Sequence, residues 1–551
     1  MSIGSRINPG TNLTGENNFQ AALPNRFSYY NPMDRVDYAI SEKWRLSGHY
    51  ARYNTDNTSS NPTPNNSALY VPTGSVRGGN QVAADAVYTL SPSTVIDVNG
   101  DWHNFQDSLA ASELEGGYGK IWPNNNWYAP YQTASNNIPT YLPQLVIGGD
   151  TLGGPGLFWL QQPHGESVNA TVSHQKGSHY LKAGFEWRRV GGITYVNSQS
   201  SFKLPSSLTA GTFNNPPSTQ GDGFATMLLG ALDDSSQVYG GPAPVPYSTW
   251  YGMFIQDTWK LSPKITINVG LRNEYETAIS NADHTFSRGL DLSVPIPEFA
   301  ANPPQMPPQA LALVGNNFYS YNGAWNFTSS SHPGMWDAQK LALSPRFGLA
   351  YRLNDKTALR FGYARYVQPI ELDFAHAPLN GFEDINILEP PFYGESATQQ
   401  ALPLQNGIPQ QTFSNPFPAN SNPLVPIQGT SGGAATGRGS TAGLLWYDPN
   451  SRQPVNNRLN FTAEHEFPGE ITASATYFLN FGNQQYNREL NAVDPTIGDQ
   501  YGTAFLTQSV TNPFYHYQNN PALLPGNLYT QPTVQLQQLL TRYPHTVRAI
   551  V

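Results

Sequence analysis

The feature that most constrains the fold of this chain is a regular alternation of apolar and polar residues in long segments. Residues 249–275 read TWYGMFIQDTWKLSPKITINVGLRNEY, and most alternate residues are apolar on both sides of the break at SPK. Side chains of a β-strand alternate between its two faces, so this pattern predicts two strands joined by a short turn. One face of this hairpin is apolar, and the other carries charged and amide side chains.

The same pattern recurs in five further segments, which predicts six β-hairpins and at least twelve strands of roughly nine to eleven residues. The hairpins are 37–53, 81–105, 167–189, 250–275, 343–366 and 458–481. A strand of about nine to eleven residues can cross a bilayer at a tilt. The turns within the hairpins are short, whereas the segments between the hairpins include 106–166, 276–342 and 367–457.

Short turns at one end and long loops at the other are typical of outer-membrane barrels. Inside a bilayer every backbone N–H and C=O must be paired within the protein, so a sheet can span only when it closes. A closed sheet meets hydrocarbon on one face and water on the other, which explains the alternation. We therefore predict an all-β fold, an antiparallel transmembrane β-barrel that is incomplete or partly open, with short periplasmic turns and long extracellular loops. The alternative is a soluble β-sandwich, although sandwich strands average about five or six residues.

The charged residues of the hairpins alternate with the apolar ones, so we expect them on the face that lines the lumen. The predicted lumen-facing charges are Arg272, Glu274, Arg346, Arg352 and Arg360. A sandwich core tolerates few charges at such positions, whereas a wet lumen tolerates all of them.

Composition excludes several other classes of protein. The net charge is -9 and we find no cluster of Lys and Arg, so no nucleic-acid partner is expected. The chain has no cysteine, which excludes disulfides and thiolate metal sites. No segment approaches the roughly 18 apolar residues of a membrane helix. Because no H-E-x-x-H motif is present, we expect no enzyme activity, cofactor or metal.

Two segments depart from the alternation. The run GDGFATMLLGALDDSSQ at 221–237 predicts a short helix before a strand. The N-terminal MSIGSRINPGTNLTG has no apolar core of the kind found in a signal peptide. We therefore expect either a cytoplasmic protein or a chain whose beginning is missing.

Five segments resemble a known family. YGMFIQDTWKLSPKITINVGLRNEYE is similar to a hairpin of TonB-dependent outer-membrane receptors, and most similar to the Oar-like group with a carboxypeptidase-regulatory-like leading domain. LSPRFGLAYRLNDKTALRFGYARYVQP, HQKGSHYLKAGFEWRR, GFATMLLG and QLLTRYPHT resemble further segments of that group, in the same order. The resemblance extends from about residue 26 to residue 546, so we assign 1–551 to the barrel region, with 1–25 as an irregular N-terminal segment.

The resemblance implies a receptor in the bacterial outer membrane that takes up a large nutrient with energy from TonB. Family substrates include siderophores, cobalamin and oligosaccharides, and the partners implied are outer-membrane lipid, the nutrient ligand and the TonB complex. Family barrels have about 22 strands, together with a signal peptide, a leading domain and a plug. We therefore expect a partial chain that lacks those parts and the closing strands.

One loop offers a candidate substrate site. YGKIWPNNNWYAPYQ at 118–132 places five aromatic residues among asparagines: Tyr118, Trp122, Trp127, Tyr128 and Tyr131. Aromatic faces beside amides suit sugar rings. The alternative is that these rings pack the loop or join an aromatic girdle at the membrane interface.

Two other functions remain open at this point. A passive, porin-like channel would share the barrel but would need neither plug nor TonB. A secreted glycan-binding or adhesive β protein would never enter a membrane, and its apolar strand faces would be buried between protein layers.

Overall fold

The computed structural model describes the chain in separate stretches. These are 6–7, 19–20, 26–59, 73–111, 118–124, 128, 143–152, 158–197, 201–210, 221–232, 234–238, 245–282, 284, 286–369, 397–400, 411–416, 444–445, 448–483, 491–519, 528–529, 531–545 and 549–550.

One antiparallel sheet of 13 strands forms the body of the protein. Its strands, numbered in chain order, are β1 (Arg26–Tyr30), β2 (Met33–Ala39), β3 (Trp44–Ser59), β4 (Thr73–Ser91), β5 (Thr94–Ala111), β6 (Phe158–Lys176), β7 (His179–Asn197), β8 (Tyr247–Ser262), β9 (Ile265–Glu276), β10 (Ala342–Asn354), β11 (Thr357–Val367), β12 (Val455–Phe467) and β13 (Ile471–Asn483). Each strand from β3 onward pairs with the next strand of the sheet, and β1 and β2 both pair with β3. The chain therefore meanders through the sheet, hairpin after hairpin.

The six predicted hairpins are confirmed, but the predicted strand length is wrong for most strands. β4, β6 and β7 have 19 residues each. Backbone pairing continues past the segment in which apolar side chains alternate, because ladder hydrogen bonds do not depend on side-chain polarity. β1 is an additional strand, and its five-residue sequence RFSYY is too short to show the alternation.

The pairing register keeps apolar and polar side chains on opposite faces of the sheet. Ile267 of β9 lies opposite Trp259 of β8 and Leu349 of β10, and this face is called the apolar face below. Arg272 and Glu274 lie on the other face, called the polar face. Because side chains alternate with a period of two, one register fixes the orientation of every residue in the sheet.

The apolar face is not covered by other parts of the described structure. Several of its large side chains are about half exposed: Met253 59%, Ile255 60%, Val269 46%, Leu271 45% and Tyr477 66%. A sandwich would bury such residues against a second sheet. An exposed apolar face of this extent is instead what a sheet facing lipid presents.

The sheet is open, which agrees with the prediction of an incomplete or partly open barrel. All 13 residues of β13 are exposed, as are all seven of β2. Within the described stretches, no strand pairs with the free edge of β13.

The six short turns lie at one end of the sheet, and the long connections lie at the other. Among the described residues, the helices of these connections and of the segment after β13 are α1 (Gly223–Leu228), α2 (Pro297–Ala301), α3 (Pro308–Val314) and α4 (Pro495–Leu506), with 3-10 turns at Tyr118–Lys120, Ser206–Thr209, Tyr517–Asn519 and Leu536–Leu539. The predicted short helix within 221–237 is confirmed as α1, which begins at the N-cap Asp222. No helix in the described part of the chain is both long enough and apolar enough to cross a membrane.

Short strands link loops that are far apart in sequence. A five-stranded sheet joins Ala397–Gln400, Asp234–Val238, Ser201–Leu204, Gln144–Ile147 and Asp150–Leu152. The remaining two-stranded pairs are Arg6–Ile7 with Phe19–Gln20, Ala231–Leu232 with Gln411–Thr412, Ser287–Pro295 with Asn322–Phe327, Leu444–Leu445 with Ala549–Ile550, and Ser509–Thr511 with Thr533–Gln535. The first of these pairs lies in the segment 1–25 that was predicted to be irregular; the rest of that segment lies outside the described residues.

Several small hydrophobic cores lie among the long loops, and two of them join segments that are far apart in sequence. The first loop core consists of Trp122, Ile147, Phe202, Leu204 and Leu232. The second loop core joins the connection after β9 to the segment after β13, and consists of Ile296, Phe299, Met306, Ala310, Val510, Phe514, Leu528, Val534, Leu536, Leu539 and Leu540. The long loops are therefore partly folded units with their own buried side chains.

Candidate functional site

The polar face of the sheet is the candidate functional surface. The register puts all five of the predicted charged residues on this one face: Arg272, Glu274, Arg346, Arg352 and Arg360. That these residues face a lumen remains a prediction, because the sheet is open. The five charged residues are distributed over β9, β10 and β11 of this face.

One partly enclosed charged group on the polar face is centred on Arg272. Its guanidinium donates to Glu186 of β7 and to Glu274 of β9, each at 2.5 Å. All three side chains are less than one-third exposed, at 17%, 28% and 12%. Charge-assisted hydrogen bonds of this kind hold a cation and two carboxylates in a fixed geometry.

A glycine leaves room for this group. Glu186 and Glu274 lie on either side of Gly252 in the register of β7, β8 and β9. A Cβ on Gly252 would lie 2.4 Å from a terminal nitrogen of Arg272, so a larger residue there would require the guanidinium to shift. Arg272 and Glu274 could be identified from the alternation, but Glu186 could not be identified as their partner, since a contact between β7 and β9 requires knowledge of the register.

A second charged group lies on β10, β11 and β12. Arg360 of β11 pairs with Glu464 of β12. Arg346 and Arg458 approach the ring of Tyr366 with their guanidinium carbons 5.5 and 5.0 Å from its centroid. Cations over an aromatic ring are attracted by its electron-rich face, so this part of the surface combines positive charge with an exposed ring.

A buried hydrogen bond lies at the end of the polar face that is nearest to the long loops. Gln453, just before β12, donates to Glu276 at the end of β9 over 3.0 Å. Both residues are almost fully buried, at 4% and 3% exposure. This hydrogen bond joins the end of the charged surface to the loop that precedes β12.

One group on the polar face contains the residue types of a hydrolase triad in the wrong order. The hydroxyl of Ser167 donates to Asp101, and Nδ1 of His103 contacts the other oxygen of that carboxylate at 3.0 Å. In a catalytic triad the imidazole stands between the serine and the carboxylate, where it can take the serine proton. Here the carboxylate occupies the middle position, so the group cannot activate Ser167 in that way.

The candidate aromatic loop is only partly described. Trp122 is 3% exposed and packs in the first loop core, with its ring centroid 5.6 Å from that of Phe202. Tyr128 packs against the same core. For these two residues the structure shows the packing role that was the alternative in the sequence analysis. The side chain of Tyr118 and the whole of Trp127 and Tyr131 lie outside the described residues, so their contact with sugar remains a prediction.

The second loop core contains several buried titratable side chains. Burial lowers the pKa of His545 to about 3 and raises that of Tyr319 to about 12. The imidazole of His545 packs against Phe299 at 5.2 Å between ring centroids, and neither of its nitrogens has a hydrogen-bond partner among the described residues. This histidine belongs to QLLTRYPHT, so that segment folds back onto the loop after β9 and fixes it.

Metal-binding residues do not gather in the described part of the chain. No group of three or more His, Asp or Glu side chains is placed to hold an ion there. The polar face therefore offers paired charges and exposed aromatic rings, which suit binding of a polar or charged partner.

Comparison with known proteins gives one strong match and several distant ones. A family model described as an outer membrane beta barrel domain matches residues 5–539. No curated protein matches the sequence.

Solved structures with a similar course of the chain include three outer-membrane proteins. The transporter YddB from Escherichia coli is 10% identical, with a TM-score of 0.43 over 85% of this chain and 42% of its own. The copper transporter OprC is 9% identical, with a TM-score of 0.39 over 85% of this chain and 47% of its own. The hemophore receptor HasR of Serratia marcescens, solved with its hemophore and heme, is 11% identical, with a TM-score of 0.38 over 87% of this chain and 48% of its own. The chain spans less than half of the length of each of these proteins.

Proposed function

Because the chain belongs to the outer membrane beta barrel domain family, we propose that it forms part of a transporter barrel that takes up a large nutrient across the bacterial outer membrane with energy from TonB. The observation that carries the proposal is the two-faced sheet. Its apolar face is exposed over its length, and its polar face holds charged groups that are paired with one another. Hydrocarbon on one side and water on the other is the environment that suits both faces.

The nutrient would be bound by the long loops and by the polar face. A polar surface with arginines over an exposed tyrosine suits a large solute that carries charge or hydroxyl groups. Siderophores, cobalamin and oligosaccharides are the classes that the sequence resemblance implies. The TonB complex is the expected energy source, and it would act through the plug that the resemblance implies.

A passive channel and a secreted glycan-binding protein are the competing functions. The exposed apolar face disfavours the secreted protein, because a soluble protein does not leave so large an apolar surface in water. A passive channel shares the two-faced sheet, so the fold does not separate it from a TonB-dependent transporter. The two functions differ in whether uptake requires energy from TonB.

The test uses cells that make the protein from its own gene and, as a control, cells that lack the gene. Accumulation of iron chelates, cobalamin and labelled oligosaccharides is measured with and without a protonophore. We expect gene-dependent accumulation of one class, and we expect the protonophore to abolish it. Accumulation that persists with the protonophore would identify a passive channel, and recovery of the protein from the medium rather than the membrane would identify a secreted protein.

A further inference from the structure

A basic and aromatic row stands out at the short-turn end of the apolar face. Lys176 of β6 lies opposite His179 of β7, and His179 lies opposite Trp259 of β8. These three side chains therefore form a row across three neighbouring strands, with Cβ atoms about 5 Å apart. The imidazole of His179 stacks on the indole of Trp259 with 5.2 Å between ring centroids.

The row continues into a rim that is rich in lysine, although its turns also hold the acidic residues Glu42, Asp355 and Glu470. Five of the nine lysines of the chain lie within three residues of a short turn: Lys43, Lys176, Lys260, Lys264 and Lys356. All five are exposed. The carbonyl oxygens of Lys43, Lys264 and Lys356 accept backbone hydrogen bonds of 2.8 or 2.9 Å from a neighbouring strand, so these three lysines hold the same position in their turns.

An acidic residue on the apolar face indicates that the row lies at the edge of the apolar band. Asp257 lies on the face of Ile255 and Trp259, where an unpaired carboxylate would be costly in hydrocarbon. It accepts a hydrogen bond from Nδ1 of His179 at 2.6 Å. Because His179 directly follows a short turn, this polar pair lies at the edge of the apolar band, where lipid headgroups begin.

The same hydrogen bond orients the histidine. With Nδ1 held by Asp257, the other ring nitrogen is left for a group outside the protein. His174 of β6 is held in the same way, through Nδ1 and the hydroxyl of Thr94 at 2.9 Å. When this hydroxyl donates to Nδ1, Nε2 of His174 carries the proton and is a donor toward the lipid.

Apolar side chains follow the row along the three strands: Leu181 is the next residue on this face of β7, and Val172 and Ile255 lie just beyond His174 and Asp257. Leu181 and Val172 are 37% and 40% exposed, and Ile255 is 60% exposed. A cation and imidazole at one level with aliphatic side chains below match a phosphate headgroup with its acyl chains. An indole at the level of the headgroups is typical of the membrane interface.

We propose that Lys176, His179, Trp259 and the neighbouring Lys264 form a binding site for the phosphate headgroup of an anionic phospholipid in the leaflet that meets the short turns. The lysines supply the charge, and Asp257 is the one acidic side chain within this group. Each lysine near an anionic surface strengthens binding by about fivefold. The proposal rests on the outer-membrane location proposed above, since it needs lipid on the apolar face.

The test uses the full chain folded in detergent micelles. Binding of phosphatidylglycerol and of phosphatidylcholine is compared by native mass spectrometry, with folding judged separately by heat-modifiable migration in electrophoresis. We expect phosphatidylglycerol to bind several-fold more tightly, and we expect the preference to fall by about tenfold in the variant Lys176→Gln/His179→Gln. The single variant Lys264→Gln, at an exposed turn, is expected to lose about fivefold while keeping the fold.

The matched control removes one lysine and one histidine from the long loops. The variant Lys340→Gln/His332→Gln changes the same residue types at exposed positions and is expected to keep the full preference. Equal binding of the two lipids to the natural chain, or equal losses in both double variants, would overturn the proposal. Displacement of the lipid by millimolar inorganic phosphate would show a site for free phosphate instead. A chain that folds and inserts without a lipid preference would overturn this inference and leave the transporter proposal standing, whereas a chain that stays folded and monomeric in buffer without detergent or lipid would contradict both.

Discussion

A lysine placed on the apolar face should destabilise the membrane-inserted chain far more than a lysine on the polar face at the same height. Leu349 lies six residues from Asp355 of the β10–β11 turn. At about 3.4 Å per residue and a tilt of about 40°, that is roughly 16 Å above the turn. The apolar band of such barrels is about 25 Å tall, so this residue lies well inside it.

The expected cost of Leu349→Lys is therefore about 2–4 kcal/mol in the free energy of unfolding from lipid vesicles. The matched control is Asn268→Lys, because Asn268 lies on the polar face opposite Gly348, one position from Leu349. Water solvates the new charge there, so we expect less than about 1 kcal/mol. Arg352→Gln, which removes an exposed partner of Asp355 at 3.8 Å, is expected to cost even less.

The assay is a urea titration of the chain folded in phosphatidylcholine vesicles, followed by tryptophan fluorescence. Each variant is titrated in the folding and unfolding directions, so that the midpoints report an equilibrium. Equal costs for Leu349→Lys and Asn268→Lys would refute the assignment of the two faces. A larger cost for Asn268→Lys would reverse it.

Three further predictions concern the loops and the polar face. Folding lowers the pKa of His545 from 6.5 to about 3, so the unfolded state binds more protons and stability is lost as pH falls below 6.5. Between pH 7.5 and pH 5 we expect the second loop core to lose about 2 kcal/mol by hydrogen exchange, and His545→Phe to remove most of that dependence. Gly192→Ala should cost about 1–3 kcal/mol in the urea titration, because its Cβ would lie 2.5 Å from the backbone of β6, whereas Gly48→Ala meets only an oxygen at 3.7 Å. Arg272→Gln should cost about 1–3 kcal/mol by leaving Glu186 without its partner, and an unchanged midpoint would show that the charged group does not stabilise the sheet.

The hairpins could be predicted from the sequence because each depends on local information. Alternation identified the two strands, and residues such as Pro263 and Gly469 marked the turns between them. The same alternation placed Arg272 and Glu274 on one face, which the register agrees with. Alternation does not indicate how far the backbone pairing between two strands continues. The lengths of most strands were therefore underestimated.

Contacts between distant segments could not be predicted in this way. The hydrogen bond from Arg272 to Glu186 spans 86 positions and depends on the pairing of β7, β8 and β9. The packing of Trp122 on Phe202 joins two long loops whose sequences show no regular pattern. Asp257 was passed over because it interrupts the apolar series, and its partner His179 lies on another strand.

The central claim is that hydrocarbon meets one face of the sheet and water meets the other, and spin-label accessibility along β9 tests it most directly. Because the chain has no cysteine, single cysteine substitutions from position 265 to position 272 give unique labels. In lipid vesicles, labels at 267, 269 and 271 should collide with oxygen dissolved in the hydrocarbon, and labels at 266, 268 and 270 should collide with a water-soluble nickel complex. Equal access of the nickel complex to both sets, or protection of both sets from both reagents, would contradict the account.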